Sequence, residues 1–104
     1  MSLSSDRLKE KVCVVTGAAK SIGFGIAKKF AEQGAKTVLL DIDPAVRESA
    51  KALADAGYPA WGHMIDITKR EEVLRLFEQI VADCGSIYCL CNVAGIVDQR
   101  PFLE

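Results

Sequence analysis

The sequence predicts an α/β protein with a doubly wound parallel sheet, and three features of its 104 residues support that prediction. Strand-length apolar segments alternate with segments of helical periodicity, in the order β-α-β-α-β-α-β. The first two strands are apolar on both faces, which is typical of parallel strands covered by helices. A glycine-bearing turn joins the first strand to the first helix. Together these features favour right-handed crossovers and one parallel sheet.

The segment from Val12 to Gly25 has the pattern of a buried strand, a turn and the opening of a helix, with the strand predicted over residues 11–16. The first N–H groups of such a helix have no partner within it. Those donors and the helix dipole favour an anion, and Gly17 allows a phosphate to approach the backbone. The turn alone leaves nucleotide binding and simple tight packing open as alternatives.

The first helix is predicted to end at Gly34, a residue suited to the left-handed position after a helix. The second strand runs from Lys36 to Leu40 and is closed by Asp41. This carboxylate stands 24 residues after Gly17, in the region where dinucleotide-binding folds place the acid that binds a ribose. Its position favours nucleotide binding over mere packing at the turn.

Helix-start patterns precede the second and third helices. Asp43 is predicted as an N-cap with Pro44 at the first helical position. Thr68 and Glu71 have the spacing of a capping box. The inner face of the third helix is predicted from one clear helical period: Val73, Leu76, Phe77, Ile80, Val81 and Cys84.

Two further strands complete the predicted sheet. The third runs from Ala60 to Ile65 and ends in Asp66-Ile67, and the fourth runs from Ile87 to Cys91 and is followed by Asn92. Dinucleotide-binding folds have the strand order 3-2-1-4, with a cleft between strands 1 and 4 where the order reverses. We therefore expect Gly17 and Asn92 to lie on opposite sides of one cleft.

Composition excludes several functional classes. Half of the residues are apolar, the net charge is −1, and no apolar run reaches the length of a membrane span. We expect no nucleic acid and no membrane as partner, and a cytoplasmic location. The spacing of the cysteines and the single histidine, His63, does not match a metal site, so we predict free, slowly reacting thiols. These cysteines are Cys13, Cys84, Cys89 and Cys91.

With these residues in view, the chain resembles the short-chain dehydrogenase/reductase family from about Leu8 to its last residue. Thr16 to Gly23 resembles the family's Thr-Gly-x-x-x-Gly-x-Gly cofactor loop, and Asp66-Ile67 its adenine-binding pair. Asn92-Val93-Ala94-Gly95 is similar to its Asn-Asn-Ala-Gly motif. The resemblance implies a Rossmann-type, NAD(P)-binding domain, of which residues 1–104 would be the N-terminal portion. From their composition, we expect residues 1–7 to be either a disordered leader or a remnant of the expression vector.

The resemblance also implies roles for twelve residues. Five residues at the glycine turn would surround the pyrophosphate and the ribose. Asp41 and Ile42 would bind the adenosine, and Asp66 and Ile67 would bind the adenine. Three residues that begin with Asn92 would line the nicotinamide side. The twelve residues are Gly17, Lys20, Ser21, Ile22, Gly23, Asp41, Ile42, Asp66, Ile67, Asn92, Ala94 and Gly95. Three positions depart from the family pattern: Ser21 replaces its middle glycine, Val93 its second asparagine, and Tyr88 an aspartate that begins strand 4.

NAD is the cofactor that the resemblance favours. Asp41 would repel a 2′-phosphate and bind free ribose hydroxyls. Lys20 stands where relatives that use NADP often carry a basic residue. We expect the carboxylate in direct contact to outweigh a flexible, solvated lysine, so NADP is the less favoured cofactor.

In the family, the catalytic serine and the Tyr-x-x-x-Lys pair stand well beyond the Asn-Asn-Ala-Gly motif. Neither tyrosine of this sequence makes the pair, because Tyr58 is followed four residues later by Gly62 and Tyr88 by Asn92. We therefore assign no catalytic residue and expect the 104-residue chain itself to be inactive. The parent protein is expected to be a homo-oligomeric oxidoreductase acting on a carbonyl or alcohol. A non-catalytic dinucleotide-binding module is the alternative. A methyltransferase-like fold fits less well, because of the Asn-x-Ala-Gly motif.

Overall fold

The computed structural model describes residues 8–93, which form four strands and three helices around one sheet. All strand pairs are parallel, and the order is β3-β2-β1-β4. The predicted doubly wound architecture and its strand order are confirmed. In chain order the elements are β1 (Val12–Thr16), α1 (Ser21–Glu32), β2 (Lys36–Asp41), α2 (Val46–Asp55), β3 (Ala60–Met64), α3 (Arg70–Cys84) and β4 (Ile87–Asn92).

Strand β1 lies between β2 and β4 in the sheet. Its register places Thr16 opposite Leu40 of β2 on one side and Asn92 of β4 on the other. The carboxyl ends of these three strands therefore meet at one edge. In open parallel sheets, ligands bind outside that edge, where the strand order reverses.

The core has two layers, one on each face of the sheet. Val15 and Leu39 point toward α1 and α2, and Val14 and Val38 point toward α3, where Ile80 is buried against them. Successive strand residues alternate between faces, so β1 and β2 need apolar side chains at every position. This two-sided burial explains their near-continuous apolar sequence.

Helix α2 begins later than predicted. Its first helical residue is Val46, not Pro44, because the preceding turn is closed by a bond from Val46 N–H to Asp43 O. The predicted cap contact itself is present: the Ala45 N–H donates to Asp43 Oδ1 at 2.9 Å. Asp43 thus caps a tight turn that leads into the helix.

Two expectations about α3 are wrong. Its N-cap is Lys69, which makes no side-chain cap bond, and the Thr68 hydroxyl donates to Asp66 Oδ1 at 2.7 Å instead of forming a capping box. Val81, predicted on the inner face, is 45% exposed. The stripe through Phe77 and Ile80 contacts the sheet, and Val81 lies one residue, or about 100°, around the helix from Ile80.

The described part of the chain ends at Val93. The predicted leader, residues 1–7, and two predicted site residues, Ala94 and Gly95, lie outside it. Within residues 8–93, no helix has the length and apolar character needed to cross a membrane. The same residues contain no cluster of three metal-ligating side chains.

Candidate functional site

The turn after β1 is held by an unusually close approach of two glycines. Gly17 has φ = 65°, in the left-handed region where a side chain is strained. Gly23, in the first turn of α1, lies so near that a Cβ built on it would be 1.8 Å from Gly17 O. The first turn of α1 therefore packs directly against the backbone of the glycine turn.

Ser21 keeps the backbone of a glycine. It is the first residue of α1, is exposed, and has φ = 57°. A left-handed conformation costs a residue with a side chain about 1–2 kcal/mol. No side chain in residues 8–93 caps this helix, and its first turn contains no acidic residue. The helix N-terminus thus keeps the unpaired donors and the positive dipole end that attract an anion.

The Asp41 carboxylate joins the ends of β1 and β2. Its Oδ2 accepts the Ala19 N–H at 3.0 Å, and its Oδ1 accepts the Asp43 N–H at 3.0 Å. A backbone bond from Ala18 N–H to Leu40 O, at 3.1 Å, ties the same turn to β2. The structure therefore brings the glycine turn and the predicted ribose-binding acid into direct contact.

A shallow groove of about 410 Å³ opens beside this contact. Its floor is fixed in part by Ser49 of α2, whose hydroxyl donates to Ala19 O. Lys20 is one of the lining residues, and its ammonium lies 3.9 Å from Asp43 Oδ2. The groove is lined by Ala19, Lys20, Ser21, Phe24, Ala45, Glu48, Ser49 and Ala52.

The other side of the β1 turn is bounded by β4. The Thr16 hydroxyl, just before Gly17, donates to Asn92 Oδ1 at 2.6 Å. Thr16 is buried and Asn92 is half-buried, and the bond holds the side chain of Asn92 against the end of β1. Asn92 therefore lies beside the turn on the side of β4, whereas Asp41 contacts the turn from the side of β2.

Asp66 follows β3, next along the same edge. The Ile65 N–H donates to Asp41 O at 2.8 Å, which aligns the end of β3 with the end of β2. The hydroxyl and the backbone N–H of Thr68 both donate to Asp66 Oδ1 and lower the pKa of that carboxyl. Asp66 is thus held as a charged acceptor at neutral pH.

Comparison with known proteins identifies the family. The family model described as short chain dehydrogenase matches residues 11–104. The chain belongs to the short-chain dehydrogenase family. The resemblance inferred from the glycine turn, the Asp66 pair and the Asn92 motif is thereby confirmed.

Relatives within the short-chain dehydrogenase family are oxidoreductases. The chain is 38% identical to cis-4-hydroxycyclohexanecarboxylate dehydrogenase of Sinomonas cyclohexanicum over 95 residues, which is 91% of this chain and 38% of that protein. It resembles an oxidoreductase from Haemophilus influenza with bound NAD (TM-score 0.77, 26% identity, 85% of this chain and 32% of the other). A metagenomic short-chain oxidoreductase in complex with NADP gives a TM-score of 0.75 at 30% identity. That alignment covers 81% of this chain and 38% of the other chain. This chain therefore spans between 32% and 38% of the length of these proteins.

Three residues of this short-chain dehydrogenase site were not predicted from the sequence as ligand-site residues. Thr16 fixes Asn92, Asp43 pairs with Lys20, and Ser49 fixes the Ala19 carbonyl. A hydroxyl at the end of a buried strand marks Thr16 in the sequence. Nothing in the sequence marks Ser49, because its partner is 30 residues away.

The cysteines lie in the sheet and in α3 and are all free. Cys13 of β1 is opposite Cys89 of β4, on the face covered by α1 and α2. Burial, and secondarily Cys89, raises the pKa of the Cys13 thiol to about 11. A thiol with so high a pKa is almost fully protonated at neutral pH and reacts slowly.

Proposed function

We propose that this chain binds NAD in the groove beside Asp41, as part of an oxidoreductase that moves a hydride between nicotinamide and a carbonyl or alcohol. The observation that supports this most is the Asp41 carboxylate, which accepts two backbone N–H groups, one of them from Ala19 in the lining of the groove. Pre-oriented in this way, its remaining lone pairs suit the hydroxyls of a ribose. Oxidoreductase relatives with bound NAD or NADP support the same cofactor class.

The residues present fit such a cofactor. The N–H groups at the start of α1 suit the pyrophosphate, and only glycine at position 23 permits their approach to the turn. Ile42, 64% exposed beyond β2, suits the face of the adenine. The proposed contacts comprise Gly17, Lys20, Ser21, Ile22, Gly23, Asp41, Ile42, Asp66, Ile67, Asn92, Ala94 and Gly95.

NAD, not NADP, is the proposed cofactor. A 2′-phosphate carries about two negative charges and would meet the Asp41 carboxylate at the position of the ribose hydroxyls. Like charges in direct contact cost more than a solvated lysine restores. We expect tighter binding of NAD than of NADP in calorimetry at fixed ionic strength.

Asp41→Asn tests the site. The amide removes the charge and keeps only one of the two oxygens that accept backbone N–H groups, so the free energy of unfolding is measured together with the affinity. In the folded variant, NAD should bind at least about tenfold more weakly, and the ratio of NAD affinity to NADP affinity should fall. Asp55→Asn, which removes an exposed carboxylate paired with Lys51 at the far end of α2, is the matched control. NAD affinity equal in the two variants would contradict the proposed site.

The hydride-transfer chemistry is proposed for the whole enzyme, not for these residues. None of the residues proposed to contact NAD is assigned as a general acid or base. General acid–base catalysis alone accelerates a reaction by about 10²–10⁴-fold. We propose that the chain alone binds NAD weakly and is inactive. Absence of a Tyr-x-x-x-Lys pair from the sequence also leaves a non-catalytic dinucleotide-binding module as the second candidate. Turnover of alcohols by the whole protein would exclude that module.

The remaining features of the proposed function concern its setting. We propose a cytoplasmic location, which the four free cysteines support because reducing compartments preserve thiols. We also propose a homo-oligomer. Sedimentation velocity of the whole protein tests the oligomer, and a single species at the monomer mass would contradict it.

A further inference from the structure

Lys20 is the charge that opposes the proposed preference for NAD. Among the described residues that line the groove, it has the only positively charged side chain. It directly follows Ala19, whose N–H donates to Asp41, so Lys20 is next in the chain to the residue that contacts the proposed ribose-binding acid. A 2′-phosphate on the ribose would be a natural partner for this ammonium.

The structure gives Lys20 a different partner. Its ammonium lies 3.9 Å from Asp43 Oδ2, and the Asp43 side chain is only 38% exposed whereas that of Lys20 is 79% exposed. Asp43 cannot readily turn away, because its Oδ1 accepts the Ala45 N–H and its own N–H donates to Asp41. The carboxylate is therefore the fixed member of the pair, and the flexible lysine is drawn to it.

We propose that Asp43 is a second residue that determines cofactor specificity, because it holds the Lys20 ammonium away from a 2′-phosphate. Asp41 excludes the phosphate by direct repulsion, and Asp43 removes the cation that would compensate for it. The inference rests on the proposed NAD site. It adds to that site a residue that itself need not contact the cofactor.

Asp43→Asn is the informative variant. The asparagine oxygen still accepts the Ala45 N–H, so the start of α2 is preserved while the charge that pairs with Lys20 is removed. Because the pair is exposed, we expect a modest change: the ratio of NADP affinity to NAD affinity should rise about fivefold at low salt. At about 1 M salt, where the Debye length is about 3 Å, most of this rise should disappear.

Two further variants separate the mechanism from a general charge effect. Asp55→Asn removes an equal charge from the exposed Lys51 pair on the same helix and should leave the ratio unchanged. In the Lys20→Gln background, Asp43→Asn should no longer raise the ratio, because the cation to be released is gone. Affinities are measured by calorimetry on the whole protein.

The outcomes distinguish the inference from the proposed function. If NAD and NADP bind measurably but Asp43→Asn changes their ratio by less than about twofold, the role of Asp43 is refuted and the NAD site stands. The inference is also refuted if Asp55→Asn raises the ratio of NADP affinity to NAD affinity as much as Asp43→Asn does. It is refuted likewise if Asp43→Asn raises that ratio fully in the Lys20→Gln background. If neither dinucleotide binds to the wild-type protein, the proposed function fails and the inference fails with it.

Discussion

The close approach of Gly23 to Gly17 makes a prediction about two glycines of one helix. In Gly23→Ala the new Cβ would lie 1.8 Å from Gly17 O and 2.7 Å from Gly17 C, whereas ordinary contacts are 3.4–4 Å. Both opposing atoms are backbone, so α1 must move outward by more than about 1 Å. Overpacking of this kind costs about 1–3 kcal/mol, and a clash with rigid backbone belongs at the upper end.

Gly25→Ala is the matched control. Gly25 lies in the same helix, is exposed, and has no atom within 4 Å of the position that an added Cβ would occupy. Alanine there should raise the free energy of unfolding by about 0.5–1 kcal/mol, through helix propensity and a less flexible unfolded chain. The same chemical change, two residues apart, should therefore have opposite signs and differ by about 4 kcal/mol.

Urea denaturation followed by the fluorescence of the single tryptophan, Trp61, measures both variants. NAD affinity provides a second measurement, since an outward shift of α1 also moves its N–H groups away from the turn. Equal stability of the two variants would show that the turn accommodates a Cβ at position 23. If Gly23→Ala lost stability but kept its NAD affinity, the position of α1 on the turn would not contribute to NAD binding.

Three other predictions concern single side chains. Cys13 has a pKa of about 11 in the folded protein against 9.0 for a free thiol, so its stabilising effect is full below pH 9 and is lost as the pH rises to 11. Between pH 9 and pH 11, the free energy of unfolding of the wild type should fall by about 2 kcal/mol more than that of Cys13→Ala. Equal falls in the two proteins would contradict the raised pKa of Cys13. Ser21→Gly should raise the free energy of unfolding by about 0.5–1 kcal/mol, by relieving its left-handed backbone, and a lower melting temperature would contradict this. Ser49→Ala should lose about 1 kcal/mol with its bond to Ala19 O, and Ser49→Thr should retain most of it in the same thermal assay.

The sheet order was predictable because it follows from patterns that span whole elements. Two-sided apolar strands, helical periods between them and the rule of right-handed crossovers leave few topologies for four strands. The contact between the glycine turn and Asp41 was predictable for the same reason, since the ends of adjacent parallel strands meet. The Ala19–Asp41 bond confirms that Asp41 and the turn lie together.

Local hydrogen bonding was less predictable because several acceptors compete for one donor. Thr68 fits a capping box with Glu71, but Asp66 is two residues earlier and accepts both Thr68 donors. A short Asx-type contact fixes fewer dihedral angles than a reciprocal box, so it is favoured here. Asp43 and Ser49 escaped prediction for a different reason: their site contacts join separate elements, and no local period records them.

Asp41 stabilises the fold as well as the proposed ligand, and this decides how variants of the site must be interpreted. Its two oxygens already accept two backbone N–H groups, so Asp41→Ala would leave those donors without their partner before any cofactor is considered. Each lost bond to a charged acceptor costs about 1.5–3 kcal/mol, which is comparable to the binding energy under test. A weak dinucleotide affinity in that variant would therefore not distinguish a lost ribose contact from a displaced turn.

Asp43→Asn avoids the ambiguity, because the amide keeps the oxygen that accepts the Ala45 N–H and changes only the charge near Lys20. A change in the ratio of NADP to NAD affinity in Asp43→Asn, at unchanged unfolding free energy, would thus be an electrostatic effect on the ligand and not a structural one.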